Sequence, residues 1–358
     1  VYVGFVIINI EVLEIVIDGL FGTHRIFSTI GPLYGVLIGT FEVLAALVFI
    51  AVVIFWFRRN VVKIQRFMKS EMKGWPKLDG NLILYFEILL MGLFIIMNAT
   101  DVEFQAMNSG NIISQFFAPM FEGYNVHLIE RTVWWAHIIG ILVFLNYLYY
   151  SKHLHILLAF PNTYYGSVKP KGQLDNLEAV TNEVKLMMDP DADPYAAVAE
   201  DAAAPDKFGA SDVQDLNWVQ LLNAYTCTEC GRCTSECPAN QTGKKLSPRK
   251  IMMDTRDRLV EVGKNIDANN GEFKLDGKQL LGDYITNEEL WACTSCNACV
   301  EACPVSIDPL SIIIEMRRYL VMEQSDAPME LNNMMSNIEN NGAPWPYNQM
   351  DRLNWKNN

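Results

Sequence analysis

The sequence predicts an all-α fold in two parts, a transmembrane helix bundle followed by a smaller, mostly helical domain. Two observations carry this. Four stretches in the first 160 residues (1–20, 33–57, 82–99 and 132–150) have about the length and apolar character of a bilayer crossing, which takes about 20 residues. All eight cysteines then fall in two later stretches of matching spacing, CTECGRCTSECP from Cys227 and CTSCNACVEACP from Cys293. The composition agrees: 51% of the 358 residues are hydrophobic, yet the formal charge is −13 and the acids concentrate after residue 170. No basic surface suggests a nucleic-acid partner.

Any one of the four apolar stretches could be a buried helix of a soluble protein. Four of them close together, with Trp56, Trp134, Trp135, Tyr149 and Tyr150 near their ends, point instead to a membrane bundle. The chain opens on Val1 inside an apolar run, without a methionine, so a preceding segment is expected. The connection after the second stretch carries Arg58, Arg59, Lys63, Arg66, Lys69, Lys73 and Lys77 against Glu71 and Asp79. The connection from 100 to 131 carries Asp101, Glu103, Glu122 and Glu130 against Arg131 alone. The excess of positive charge places the first connection in the cytoplasm. The expected topology is a multi-pass protein of the inner (cytoplasmic) membrane whose cysteine domain faces the cytoplasm.

Ionisable residues inside the spans cost at least ~2.5 kcal/mol each on insertion scales, so they mark candidate functional sites. Glu11, Glu14 and Asp18 follow one helix face, and Glu42 and Glu87 lie on the next two spans. Asp18 and Glu42 equally suit the outer headgroups. Glu11 lies nearest mid-membrane and is the proton-relay candidate. His137 and His155 stand 18 residues apart on the last span, five turns at about 3.6 residues each, so both are expected to project from one face. That spacing suits two stacked b-type haems, each taking one axial imidazole. The plainer alternative for each is a hydrogen-bonded interior histidine. His24 and His127 lie in outer loops, so a second axial ligand is expected either upstream of Val1 or not at all.

The cysteine spacing is C-x2-C-x2-C-x3-C-P, twice. Three cysteines at such intervals can reach three corners of one iron–sulfur cube, while the fourth ligates the other cluster. One [4Fe–4S] cluster is therefore expected on Cys227, Cys230, Cys233 and Cys303, and a second on Cys293, Cys296, Cys299 and Cys237. Zinc would leave the third and fourth cysteine of each clip without a role. A disulfide framework suits small secreted domains rather than a cysteine block behind membrane helices. The cysteines are thus ligands, and no residue is assigned a catalytic role. The expected domains are the bundle at 1–160, an acidic Ala/Asp/Pro linker at 161–214, a dicluster ferredoxin-like domain at 215–325 and a tail at 326–358. Within the dicluster domain the run DPLSIIIEMRRYLVME reads as a helix whose apolar face, at Leu310, Ile313, Ile314, Leu320 and Val321, is core.

The stretch WWAHIIGILVFLNYLYYSKHLHIL resembles the final helix of the cytochrome b (gamma) subunit of respiratory nitrate reductase, and VYVGFVIINI resembles that family's second helix. DLNWVQLLNAYTCTECGRCTSECPA and ELWACTSCNACVEACPVSIDPLSIIIEMRR resemble the dicluster subunit of heterodisulfide-reductase-like iron–sulfur oxidoreductases; NNGAPWPYNQMDRLNW resembles its tail. The resemblance implies a membrane-anchored electron-transfer subunit, an oxidoreductase component linking a cytoplasmic redox partner to the membrane quinone pool through two clusters and haem b. The partner implied is a flavoprotein or a cysteine-rich thiol/disulfide module. This chain shows no Gly-rich dinucleotide fingerprint and no cysteine outside the clips. Trp345, Arg352 and Trp355 in the tail are the docking candidates, being residue types that dominate interface hot spots. The alternative is a haem-less anchor or proton-translocating subunit of a larger complex, with the clusters feeding another subunit.

Overall fold

The computed structural model describes residues 2–107, 109–170, 172–189 and 207–357. Among these there is no strand, and the chain divides into two compact units near residue 156. The first is a helical bundle of α1 (Tyr2–Phe21), α2 (Pro32–Asn60), α3 (Trp75–Thr100) and α4 (Val126–Leu148). Gly31 and Gly74, at φ 67° and 75°, reverse the chain ahead of α2 and α3, and each helix then starts with proline in its first turn. Asn125 caps α4, its side chain accepting from Leu128 N at 3.1 Å. Helix α3 packs against both α2 and α4. With α2 and the turn that follows α3 it forms a core of Tyr34, Ile38, Phe41, Ala45, Phe94, Met97 and Phe104.

This unit reverses the usual distribution of polarity. Glu14, Glu42, Asn98 and Ser114 are buried, whereas Leu33, Val36, Leu47 and Leu142 are exposed. Apolar side chains turned outward need a lipid environment, and buried polar groups then need partners within the bundle. Among the described residues three helices, α2, α3 and α4, are long and apolar enough to cross a membrane. Four were expected. The first stretch does form the 20-residue α1, but Glu11, Glu14 and Asp18 set its composition apart from the other three.

Helix α4 stops at Leu148, short of the continuous span needed to put His137 and His155 on one face. Asp79, counted with the basic loop in the sequence, is buried within α3. It accepts from the Tyr147 hydroxyl, from Ser151 Oγ at 2.7 Å and from Lys152 N at 3.1 Å. Ser151 is extended (φ −105°, ψ 149°) and its side chain caps a single 3-10 turn, Lys152–Leu154. A new helix, α5 (His155–Tyr164), then begins. The five-turn relation between the two histidines is thus broken by a buried carboxylate that takes up the backbone and side-chain donors of this corner. His153 packs its ring 5.3 Å from Phe144 and 5.4 Å from His155.

The second unit contains α6 (Glu178–Met188), α7 (Trp218–Thr226), α8 (Pro248–Ala268), α9 (Asn287–Trp291), α10 (Pro309–Arg318) and α11 (Met329–Asn341). Helix α8 lies against α7 and α10. The starts of α8 and α10 use one device: Ser247 and Asp308 cap, and Pro248 and Pro309 follow at the first helical position. Leu310, Ile313 and Leu320 are buried as the apolar face required, joined by Ile312 and Met316, while Ile314 and Val321 are only partly covered.

Part of the stretch expected to be linker is core. Ala210 and Val213 are fully buried, Ala210 N donates to Glu315 O at 3.0 Å, and Leu281 N donates to Ser211 O at 3.0 Å. The centre of that stretch, 190–206, lies outside the described residues. At Gly209 (φ 72°) an added Cβ would stand 2.2 Å from Glu315 O and 2.5 Å from Tyr319 N, both backbone atoms. Gly209→Ala should therefore destabilise this unit by on the order of 2 kcal/mol or more. Thermal unfolding followed by far-UV circular dichroism checks this; an unchanged midpoint would mean that this strap, residues 207–216, can lift off α10 freely.

Candidate metal centre

The two clips share a backbone. Cys227 follows α7 and Cys293 follows α9, each donating its N–H back to the preceding turn (to Ala224 O at 3.4 Å, to Leu290 O at 3.2 Å). The third and fifth residues of each clip are left-handed: Glu229 and Gly231 at φ 57° and 73°, Ser295 and Asn297 at φ 54° and 61°. A short helix then carries the third cysteine, Arg232–Glu236 for Cys233 and Ala298–Glu301 for Cys299. Left-handed residues other than glycine cost roughly 1–2 kcal/mol each. Finding them at matched positions in both clips ties the strain to a shared purpose. They turn backbone donors toward sulfur: Ser295 N–H meets Cys293 Sγ at 3.4 Å, and Ile307 N–H, beyond left-handed Ser306, meets Cys303 Sγ at 3.3 Å.

Burial and neighbouring charge act together on the thiols of the second clip. Burial pushes Cys299 up to about 12, and Cys293, Asp308 and Cys237 all add to it. Burial also raises Cys293, with Cys237 and Cys296 contributing, while the Ser295 N–H and Arg317 oppose. Cys237, from the first clip, thus acts electrostatically on two cysteines of the second. Burial thus favours the neutral thiol at Cys293 and Cys299 unless a cation compensates the thiolate charge, and an iron cluster does so. The donor set therefore fits a cluster. Among the described residues no three His, Cys, Asp or Glu converge as a single metal ion requires; a cube instead takes its ligands at separate corners. Cys227, Cys237 and Cys299 are buried, and Cys296 is exposed.

Arg317 was not singled out in the sequence. Its guanidinium donates to Leu290 O at 2.6 Å and Cys293 O at 2.6 Å, approaches Ser295 Oγ at 3.4 Å, and lies 4.9 Å from the Trp291 ring centroid. It fixes the entry of the second clip and places positive charge beside it. The signal available was an arginine in the last turn of a helix that leaves the clip, one residue away from a second arginine whose role differs.

The bundle candidates separate. Glu14 accepts from Phe27 N at 3.0 Å and Tyr34 Oη at 3.2 Å. Asp18 accepts from Thr23 Oγ1 at 2.6 Å, Arg25 N at 2.8 Å and Ile26 N at 3.1 Å. Glu42 accepts from Asn98 Nδ2 at 3.1 Å, Ile113 N at 2.7 Å and Ser114 N at 3.1 Å. These three acids hold loops onto the bundle. Glu11 differs, since its buried Oε1 has no hydrogen-bond partner. His137 is buried beside Phe94 (ring centroids 6.2 Å), and its Nδ1 also lacks a partner. The described residues offer His137 no opposing histidine, so they fit at most one axial ligand of a haem. His155 is held by Lys152 O, 3.1 Å from Nδ1, and burial lowers it; burial together with His155 brings His153 down to about 4.

At the loop end His24 meets Asp101 at 3.2 Å and Glu103 at 3.1 Å, and the Asp101 hydrogen bond raises it against the opposing effect of burial. A raised folded value means that its stabilisation is complete below the unfolded value of about 6.5 and fades as pH rises through the folded one. The detergent-unfolding midpoints of wild type and His24→Gln should accordingly differ most near pH 5–6 and converge in the alkaline range. A gap that widens with pH would mean that the contact does not depend on the imidazolium.

Residues 226–307 match the family model described as a 4Fe-4S dicluster domain. The chain is 29% identical, over 99% of its own length and 51% of the relative's, to a probable iron–sulfur-binding oxidoreductase, FadF, of Bacillus subtilis. It is 27% identical, over 88% of its length and 44% of the relative's, to the EtfAB:quinone oxidoreductase of Syntrophomonas wolfei. A probable membrane-anchored ferredoxin of Chromohalobacter salexigens is 33% identical over 44% of this chain and 25% of that protein. The chain thus spans about half or less of these relatives. No solved structure matches. The protein carries a dicluster iron–sulfur domain suited to electron transfer, behind helices that associate it with a membrane.

Proposed function

We propose that the chain is a membrane-anchored electron-transfer subunit, multi-pass in the inner membrane with its iron–sulfur domain in the cytoplasm, linking a cytoplasmic redox partner to quinone. Cys227, Cys230, Cys233 and Cys303 hold one [4Fe–4S] cluster, and Cys293, Cys296, Cys299 and Cys237 hold the other. The observation that carries this is the doubled C-x2-C-x2-C-x3-C-P spacing within the matched dicluster domain, and the electrostatic influence of Cys237 on Cys293 and Cys299 supports the exchange of fourth ligands. When bound, the clusters supply one-electron transfer; the protein buries them, hydrogen-bonds their sulfurs and sets Arg317 beside one of them. Quinone as the membrane substrate is supported by the relative named EtfAB:quinone oxidoreductase. A flavoprotein or cysteine-rich module is the soluble partner, since single-electron carriers need a module that handles pairs. Trp345 and Trp355 are exposed, and with Arg352 they are offered to that partner. Deleting residues 340–358 should release the partner from purified native complexes while the iron content stays constant; undiminished co-purification would move the interface elsewhere.

A second reading, a haem-less anchor or proton-translocating subunit, is favoured by the break that removes His155 from α4 and by the lack of an opposing ligand for His137. Under the first reading His137 binds haem b with a ligand from outside the described residues. One experiment tests both. Purified protein should carry about eight iron and eight sulfide per chain, and its reduced-minus-oxidised visible spectrum reports b-type haem directly. Iron near four would overturn the two-cluster proposal, and absent haem bands would establish the anchor reading.

A further inference from the structure

Within the membrane unit a cavity of about 220 Å³ reaches from the loop end, at Asp18, Thr23, His24 and Arg131, inward to Glu11 between the walls of Ile38, Phe94 and Trp134. Its volume is several times the ~30 Å³ that one water occupies. Glu11 lies ten residues before the end of α1, so about 15 Å along the helix axis, or roughly half a hydrocarbon core. The cavity therefore connects one face of the unit with its middle.

The groups facing Glu11 decide its role by elimination. From α1 come Glu14 and Asp18, from the following loop His24 and Arg25, from α2 Glu42, from the end of α3 Asp101, and from α4 Glu130 and Arg131. All but Glu11 are engaged. Arg25 binds Asp101 through Nε at 2.8 Å, Asn98 at 2.8 Å and Tyr34 at 3.3 Å; Asp101 caps Phe104 N at 3.0 Å; Glu130 pairs with Arg131 at 2.5 Å. Glu14, Asp18 and Glu42 hold backbone as described. Glu11 alone ends on the cavity with a fully buried oxygen that nothing satisfies. An unpaired buried carboxyl is far cheaper as the neutral acid than as the ion, and the cavity has room for the water that would carry its proton in and out.

We propose that Glu11 is a proton-loading site, charged and discharged through this cavity from the face that carries His24 and Glu103. The engaged acids and arginines along the walls form a fixed polar lining, and Glu11 is the group left to change its proton. The cavity lining and the unsatisfied Glu11 oxygen carry this for either reading of the membrane unit.

The test is infrared difference spectroscopy of the full chain in lipid, perfused alternately at acid and alkaline pH. Wild type should show a carboxylic-acid C=O band that disappears on alkalinisation and shifts within minutes in D2O. Glu11→Gln should lose that band while keeping the visible cluster spectrum, Glu11→Asp should retain a displaced one, and Glu122→Gln, in an exposed loop, should leave it unchanged. A band that exchanges and belongs to Glu11 supports the site whether or not the protein reduces quinone. A band that survives Glu11→Gln, or one that never shifts in D2O, overturns it.

Discussion

Replacing Cys237 by serine should remove the cluster organised by the second clip, not the one organised by the first. Iron should fall from about eight to about four per chain, and the reduced protein should keep a single paramagnetic centre in place of two interacting ones. The reason is local geometry. Cys237 closes a short helix with φ −73° and ψ 117°, Pro238 follows at the first position of the next turn, and its thiol joins the electrostatic group of Cys293 and Cys299. Without a cation, burial holds Cys299 near 12, so the damaged site would retain neutral thiols rather than a strained ring of thiolates. Cys303→Ser is the mirror experiment and should remove the other cluster. If Cys237→Ser instead abolished the centre of Cys227, Cys230 and Cys233, each clip would hold its own fourth ligand and the exchange would be refuted.

The spacing of the clips could be read because each is a local object: seven residues fix three ligands and the proline marks the fourth. The left-handed pair within each clip was equally local and went unread. Gly231 and Asn297 occupy the same offset and are both residue types that tolerate such backbone, whereas Glu229 and Ser295 give no such signal. The all-α class followed from long apolar periodicity, which survives without knowledge of any neighbour. The break after Leu148 did not follow, because YYSKHLHIL contains no glycine or proline to stop a helix and the cause, Asp79, lies 72 residues away from Ser151. Among the acids, sequence singled out Glu11 only by its depth, and could not say which of Glu11, Glu14, Asp18 and Glu42 would find partners. Only the loops that return to Glu14, Asp18 and Glu42 leave Glu11 as the one with an unsatisfied oxygen.

The same limit applies to Arg258, and it leads to the largest expected effect on stability. In sequence it is one charge among many in TRDRLVEV; in the fold it is fully buried within α8. Its guanidinium donates to Asp212 from Nη2 at 2.7 Å and Nε at 3.0 Å, to Asp276 from Nη1 at 2.5 Å, and to Lys278 O at 2.8 Å. Asp212 in turn accepts from Val213 N at 2.8 Å and Leu280 N at 3.3 Å. One side chain thus ties the strap at 207–216 and the turn at 276–280 to the helix between the two clips. Arg258→Met would leave Asp212 buried without its cation, a change on the order of 3 kcal/mol or more, or roughly 6–12 °C in melting temperature for a unit of this size. Asp276 is partly exposed and can regain water, so Asp276→Asn should cost only about 1 kcal/mol. Lysine cannot reproduce the planar fork, so Arg258→Lys should fall between the two. Heating each variant while following cluster absorbance gives the order. A melting temperature in Arg258→Met equal to that of wild type would show that the strap is held by Ala210 and Val213 packing alone.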